Sequence, residues 1–409
     1  METMTEDATT IGIAISRRAT EMQGSPIRKL ASLAEARKKQ GIKVYHLNIG
    51  QPDLPTAPAV FDAIRSFDQK TLAYAPSNGL SAALAAWRTY FHHVGVEFDE
   101  KEMIVTAGGS EALIMAMIGV CDPDDEIIVF EPFYTNYNGF ASIAHVKLRP
   151  IPLSIHNGFH LPSAKEIEPY ITTRTKAFII NSPANPTGAI YSREELQGVV
   201  NLSKKHGLFV ISDEVYREFA YDAQCVGVTD FPEIRDRAIL VDSCSKRFNV
   251  CGARIGVIAS HNTEIIASAL KFGQARLSVA TIEQVAVAPL LNDPTPYTTP
   301  IVQEFRKRRD VVYEELKQIK GVTFYKPEGA FYIVIGLPVK DSEHFSKWLI
   351  ESFEFEQQTV LVAPAQGFYA TPGKGTNEVR LAFMLNVDDM KQSMRLLKRA
   401  LDVYAQEGF

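Results

Sequence analysis

Between residues 100 and 260, short runs of consecutive apolar residues alternate with longer stretches whose apolar positions recur every three or four residues. MIVT at 103–106, EIIVF at 126–130, AFII at 177–180, LFVIS at 208–212, AILVDS at 238–243 and IGVIAS at 255–260 predict strands. Their near-continuous hydrophobicity fits strands buried on both faces, as in a largely parallel sheet. SEALIMAMIGV at 110–120 and SREELQGVVNLSKKHG at 192–207 predict helices. In the second, Ser192 with Glu195 three residues on makes a capping box, and Gly207 closes the helix. This alternation reads as an α/β fold with a large doubly wound domain.

The flanks follow another pattern. Turn-rich NDPTPYTTP at 292–300 precedes IVQEFRKRRDVVYEELKQIKG, a long charged amphipathic helix. VTFYKPEGAFYIVIGLP and EVRLAFML then predict strands of a smaller α+β unit, completed by a helix from about Asp388. Residues 17–40 also carry a helical pattern, followed by the turn-rich NIGQPDLPT at 48–56.

Composition narrows the function. The chain has 409 residues, enough for two or three domains, and 46% are hydrophobic, which supplies ample core. Lys plus Arg number 43 against 48 Asp plus Glu, a net charge of −5 that lacks the basic excess of a nucleic-acid binder. Cys121, Cys225, Cys244 and Cys251 are too few for a disulfide scaffold and form no C-x-x-C pair, so a reducing cytoplasm and no metal are expected. The start, METMTEDATTIG, lacks the basic-then-apolar pattern of a signal peptide, and no apolar run is long enough to span a membrane. Nucleic acid and membrane are therefore not expected partners, and an enzyme or a ligand-binding relative of one is expected.

Four segments lie where predicted strands end, the place at which α/β sheets bind ligands. SCSKRFNVCGARIG at 243–256 brings together Ser243, Ser245, Lys246 and Arg254. Hydroxyls with a guanidinium fork suit a phosphate, and a lysine in an apolar setting can lose its proton and form a Schiff base. A solvated strand-end lysine is the plainer alternative. TAGGSEAL at 106–113 presents the N–H groups of Gly108, Gly109 and Ser110 at a helix start, which suits an anion or simply a glycine turn capped by Ser110. ISDEVYREF at 211–219 sets Asp213 at a strand end with Tyr216 nearby; the acid suits a buried cation or a helix N-cap. NSPANPTG at 181–188 places Asn185 before a proline, in a turn by composition. Neither G-x-G-x-x-G nor G-x-x-x-x-G-K-[ST] accompanies these glycines, which argues against a nicotinamide oxidoreductase or a nucleotide triphosphate enzyme.

Taken in order, NPTG, SDEVY and SxSK…GxRxG resemble the motif set of the class I/II aminotransferases among the fold-type I pyridoxal phosphate enzymes, the aspartate aminotransferase-like group. The likeness runs from NIGQPD at 48–53 to EVRLAF at 378–383. It implies a large pyridoxal phosphate-binding domain at 57–297 and a discontinuous small domain made of 1–56 and 298–409.

The resemblance also implies roles. Lys246 would hold pyridoxal 5'-phosphate as an internal aldimine and, once freed, move a proton at the substrate α-carbon. Asp213 would keep the pyridine nitrogen protonated. Tyr216 and Asn185 match the groups that hydrogen-bond the ring's phenolic oxygen. Arg254, Ser243, Ser245 and the amides of Gly108, Gly109 and Ser110 match the phosphate cradle. Tyr134 in EPFYTNY matches the ring that stacks on the pyridine, with Phe133 and Tyr137 the alternatives for core packing. Tyr74 in LAYAPSNG resembles the tyrosine that reaches the neighbouring subunit's cofactor, which implies a homodimer. Arg380 in NEVRLAFML resembles the arginine that grips the substrate α-carboxylate, with Gly50 and Asn185 completing that site. A strand arginine buried without an anion would be costly, which favours this role.

QARLSVATIEQ at 274–284 departs from the group's usual small polar residues by carrying Arg276. Arg276 suits a substrate side-chain carboxylate, which would favour aspartate or glutamate, or a structural ion pair at a dimer interface. The implied activity is a ping-pong transfer of an amino group from an L-amino acid, aspartate first, to a 2-oxo acid such as 2-oxoglutarate. A β-lyase or decarboxylase on the same scaffold differs only in which α-carbon bond stands perpendicular to the ring. A ligand-sensing relative would need an added DNA-binding module, and the residues before NIGQPD carry no winged-helix pattern.

Overall fold

The computed structural model describes residues 15–24 and 26–408, so the acidic start METMTEDATTIG lies outside the described residues. Strands follow in chain order: β1 (Lys43–His46), β2 (Met103–Thr106), β3 (Glu126–Glu131), β4 (Lys147–Pro152), β5 (Thr175–Asn181), β6 (Phe209–Asp213), β7 (Ala238–Ser243), β8 (Gly256–Ala259), β9 (Thr323–Phe324), β10 (Tyr332–Gly336), β11 (Gln358–Leu361), β12 (Ala363–Pro364) and β13 (Glu378–Ala382). Seven of them form one sheet in the order β2-β8-β7-β6-β5-β3-β4. All its pairings are parallel except those of β8, which runs antiparallel to β2 and β7. Every position of β2, β3, β7 and β8 is buried, which is why these strands read as unbroken apolar runs.

The predicted runs all became strands of this α/β sheet, and the strand they missed is β4. Its sequence, KLRPIP, is mostly half-exposed at the sheet edge, where prolines are tolerated because one face of the ladder needs no donor. The helix Gly109–Val120 follows β2, and Arg193–His206 carries the expected capping box: Glu195 N–H donates to Ser192 Oγ at 3.2 Å and Ser192 N–H to Glu195 Oε2 at 2.7 Å.

Two expectations at the flanks are corrected. The helical pattern at 17–40 is broken into Arg17–Glu21 and Ala31–Lys39, because Gly24 and Pro26 lie between. The segment read as a turn before residue 301 is already helical: Thr295–Leu316 is one helix, whose first turn accepts Pro296 since the N–H groups there have no intrahelical partner. The last helix runs Val387–Gln406.

The remaining strands form a four-stranded antiparallel sheet, β12-β13-β10-β9, and a parallel pair, β1 with β11. One core cluster joins Phe331, Leu381 and Leu397 of this part to Tyr216 and Phe219, which follow β6 of the large sheet. Polar contacts tie the same seam. The buried Glu131, at the end of β3, accepts N–H groups of Ala370 and Thr371 at 2.8 and 3.1 Å.

His160 makes a further tie. Its Nδ1 lies 3.0 Å from Glu195 Oε1 and its Nε2 3.5 Å from Glu328, in the loop before β10. The Glu195 hydrogen bond, with the charges of Glu195 and Glu328, raises the imidazole above its ordinary value of 6.5. A raised folded value means that His160 stabilises fully below the ordinary value and loses that contribution as pH rises through the raised one. The melting temperature of the wild type should therefore exceed that of His160→Gln at pH 6, and the difference should shrink by pH 9 as thermal unfolding is followed. Equal differences at both pH values would rule out the charged bridge.

Candidate active site

A cavity of about 680 Å³ opens where β5, β6 and β7 end. The reversal of β8 has a consequence here: its first residue, Gly256, pairs with Ser243 and Thr106, so the Arg254 that precedes it arrives at the same edge. Parallel exits and one antiparallel entry thus gather Asn181, Asp213, Ser243, Ser245, Lys246 and Arg254 around a single space. Gly50, Gly109, Ser110, Tyr134, Asn185, Tyr216 and Arg380 line the same cavity.

Asp213 ends β6 and is buried. Burial pushes its carboxyl up to about 6, against the opposing effect of a 2.7 Å hydrogen bond from Tyr137 Oη. Asn181 donates to the Asp213 carbonyl at 2.9 Å and accepts the Asn185 N–H at 2.7 Å, so two neighbouring strand ends are locked together. A carboxylate raised by desolvation is one that a nearby cation would stabilise in its ionised form.

At the opposite wall, Lys246 lies in the short helix Cys244–Arg247 that follows β7. Its Nζ donates to Gly50 O at 2.9 Å and lies 3.8 Å from Cys251 Sγ. The next residue, Arg247, is buried and paired with Asp242, which fixes the helix against the sheet. Ser243 Oγ lies 2.8 Å from Ser245 Oγ and accepts the Ser245 N–H at 3.1 Å. Arg254 donates to the carbonyls of Cys251 and Ala107 at 3.2 and 3.3 Å. Its guanidinium rests on Gly108, where a Cβ would come within 2.5 Å of Nη2 and where φ is +79°. The positive φ favours glycine there. The amides that open the helix Gly109–Val120, two serine hydroxyls and a guanidinium therefore converge, which is the donor set of a phosphate site.

Arg380 sits in β13, 1% exposed. Nη1 donates to Asn185 Oδ1 at 3.1 Å and Nη2 to Asn48 O at 2.5 Å, while Nε is buried with no partner. The guanidinium lies between the rings of Tyr332 and Phe368, 4.5 and 4.9 Å from their centroids. Burial lowers its pKa from the ordinary arginine value, and the groups that oppose this are tyrosines rather than carboxylates. A buried cation with only neutral oxygens around it is a receptor for an anion.

Gly108 lies under Arg254 without lining the cavity, and two predicted site residues lie elsewhere. Tyr74 is 82% exposed and does not line the cavity of its own chain. Arg276 is drawn to Glu111, Nε to Oε1 at 3.1 Å, and its Nη2 donates to Val105 O at 3.1 Å. Of its two sequence-level alternatives, this placement is that of an ion pair, within the chain itself. Several residues were passed over in the sequence, among them Asn48, Asn136 and three more. Tyr137 read as core and is the hydroxyl partner of Asp213; Asn181 read as part of a turn; Tyr332 read as one apolar strand position among several, yet it lines the cavity. Only the single hydroxyl in AFYIVIG marks Tyr332 out from its neighbours.

The family model for aminotransferase class I and II matches residues 42–395. The chain is 31% identical over 386 residues to the aspartate aminotransferase of Thermotoga maritima, covering 93% of this chain and 97% of that one. Among solved structures, Thermus thermophilus aspartate aminotransferase with maleate superposes with a TM-score of 0.85 at 27% identity, over 95% of this chain and 100% of that one. Alanine aminotransferase from Pyrococcus furiosus superposes equally well, with a TM-score of 0.86 at 26% identity over 95% and 100% of the two chains. A match of this extent, over a sheet whose strand ends converge on one lysine and one buried arginine, places the chain in the class I and II aminotransferases.

Proposed function

We propose that the protein is a pyridoxal phosphate-dependent aminotransferase that takes the amino group of an L-amino acid, aspartate first among donors, and passes it to a 2-oxo acid such as 2-oxoglutarate in a ping-pong cycle. The observation that carries this reading is one cavity holding both the Lys246 amine and the Arg380 guanidinium, a cation bonded only to neutral oxygens. Aspartate is put first because the Thermotoga maritima and Thermus thermophilus proteins are named for it; alanine is the natural comparator because the Pyrococcus furiosus protein is named for that.

The residues present fit the cofactor. Asp213 would face the protonated pyridine nitrogen, and the positive partner would offset the desolvation that raises its pKa. Arg254, Ser243, Ser245 and the helix start at Gly108, Gly109 and Ser110 would hold the phosphate. Tyr134 would cover the ring, its hydroxyl anchored by Asn136 at 2.8 Å. Bound there, pyridoxal phosphate supplies the electron sink for negative charge at the substrate α-carbon.

The chain's own groups do the rest. Arg380, held on two sides by Asn185 and Asn48, would present its remaining donors to the substrate α-carboxylate and so fix the α-carbon relative to Lys246. Lys246 Nζ, with Gly50 O as its resting partner, would take the proton from the substrate α-carbon and hand it to C4′ of the cofactor. Tyr216, which burial keeps protonated, would donate to the cofactor's phenolic oxygen together with Asn185. We further propose a division into 57–297 and 1–56 with 298–409, a cytoplasmic homodimer in which Tyr74 reaches the neighbouring site, and a place in amino acid metabolism.

Purified protein loaded with pyridoxal phosphate and offered single amino acids with 2-oxoglutarate should form glutamate in step with a new 2-oxo acid. Ammonia and pyruvate instead would identify β-elimination. No glutamate from any donor would overturn the reading. Because Arg276 is engaged by Glu111 and Val105, Arg276→Ala should leave the aspartate-to-alanine ratio of kcat/KM within about threefold and lower stability by ~1 kcal/mol. A large change in that ratio, measured by steady-state kinetics, would return Arg276 to the substrate site.

A further inference from the structure

Among the described residues, Tyr332, on β10, is the one buried hydroxyl facing the cavity for which the reading above has no use. Three contacts define it. Its hydroxyl lies 3.0 Å from the Tyr216 hydroxyl. Its ring stands edge-on to the Tyr216 ring, with centroids 5.7 Å apart, and lies 4.5 Å from the Arg380 guanidinium. It also presses on Gly50 so closely that a Cβ there would fall 1.8 Å from the Tyr332 oxygen. One side chain therefore touches the tyrosine, the arginine and the backbone carrying the lysine's acceptor.

Two hydroxyls at 3.0 Å share one hydrogen bond, and either can donate it. If Tyr216 donates to Tyr332, its single proton is spent inside the wall. If Tyr332 donates, the Tyr216 oxygen is an acceptor on that side and its own proton is free to point into the cavity. An anionic oxygen in the cavity selects the second arrangement, and a hydroxyl that accepts a bond becomes the stronger donor.

We propose that Tyr332 is a positioning residue: its hydroxyl donates to Tyr216 and thereby turns the Tyr216 proton toward the phenolic oxygen of the bound cofactor. The inference rests on the cofactor reading above and deepens it. The ring and the hydroxyl have separable duties, since only the ring meets Arg380.

Tyr332→Phe removes the hydroxyl and keeps the ring. In protein loaded with pyridoxal phosphate, the pH midpoint of the cofactor's visible band should rise by roughly 0.5–1 unit, because a weaker donor stabilises the deprotonated form less. The kcat should fall roughly three- to tenfold, with KM for the amino acid changed less than about twofold, since Arg380 keeps its neighbour. In a Tyr216→Phe background the same substitution should add no further shift. An unmoved midpoint in Tyr332→Phe, or a shift that persists without the Tyr216 hydroxyl, overturns the proposal. Absence of any visible band in the wild type would instead overturn the cofactor reading, and this inference with it.

Discussion

Replacing Lys246 by alanine should lower amino transfer by about 10⁴-fold or more while the protein remains folded. The asymmetry follows from what the side chain touches. Lys246 Nζ makes one short hydrogen bond, to Gly50 O, and a long one to Cys251 Sγ, so its removal costs about 1 kcal/mol of stability. The short helix around it is held by other means, chiefly the buried Asp242–Arg247 pair and the serine contacts. Lys246→Arg sharpens the test. It keeps a cation near Gly50, but a guanidinium does not release its proton at neutral pH and cannot carry one at the α-carbon. Both variants should be inactive by coupled assay and should melt within a few degrees of the wild type. Appreciable turnover by Lys246→Arg would mean that charge, not proton transfer, is what position 246 supplies.

The contrast between strand interiors and strand ends explains what the sequence disclosed. MIVT and AILVDS could be read without error because each residue of β2 and β7 is buried, and burial on both faces leaves an unbroken apolar run. KLRPIP could not: β4 is mostly half-exposed, whereas β2 at the other edge is fully covered, and its prolines read as turn formers. The direction of β8 left no trace either: GVIA is equally apolar in both senses, yet its reversal is what brings Arg254 beside Ser243. At the site, ordered motifs pointed to Lys246, Asp213, Asn185 and Arg254. Residues whose role depends on a partner distant in the chain were not marked in this way. Tyr137 meets Asp213 only through the fold, and Tyr332 meets Tyr216 across the seam between the two sheets. Arg276 shows the reverse case, a charge whose nearest acid, Glu111, lies far away in sequence.

Arg380→Met should separate binding from folding more sharply still. The substitution removes a cation that the chain has buried between Tyr332 and Phe368 with an unpaired Nε. A substrate carboxylate would lose two charge-assisted hydrogen bonds, so kcat/KM for amino acids should fall by about 10²–10⁴. Stability should behave differently. Asn185 Oδ1 and Asn48 O lose their donors, which costs about 1–3 kcal/mol, but the desolvation that depresses the arginine's pKa is relieved at the same time. The two effects oppose each other, and the melting temperature should stay near that of the wild type or rise. An amine that lacks the α-carboxylate provides the internal control: its poor turnover by the wild type should be little altered in Arg380→Met, because the lost interaction was never made. If the variant unfolds instead, Arg380 is a structural cation; if it loses as much activity toward the carboxylate-free amine, the arginine serves the reaction through something other than the carboxylate.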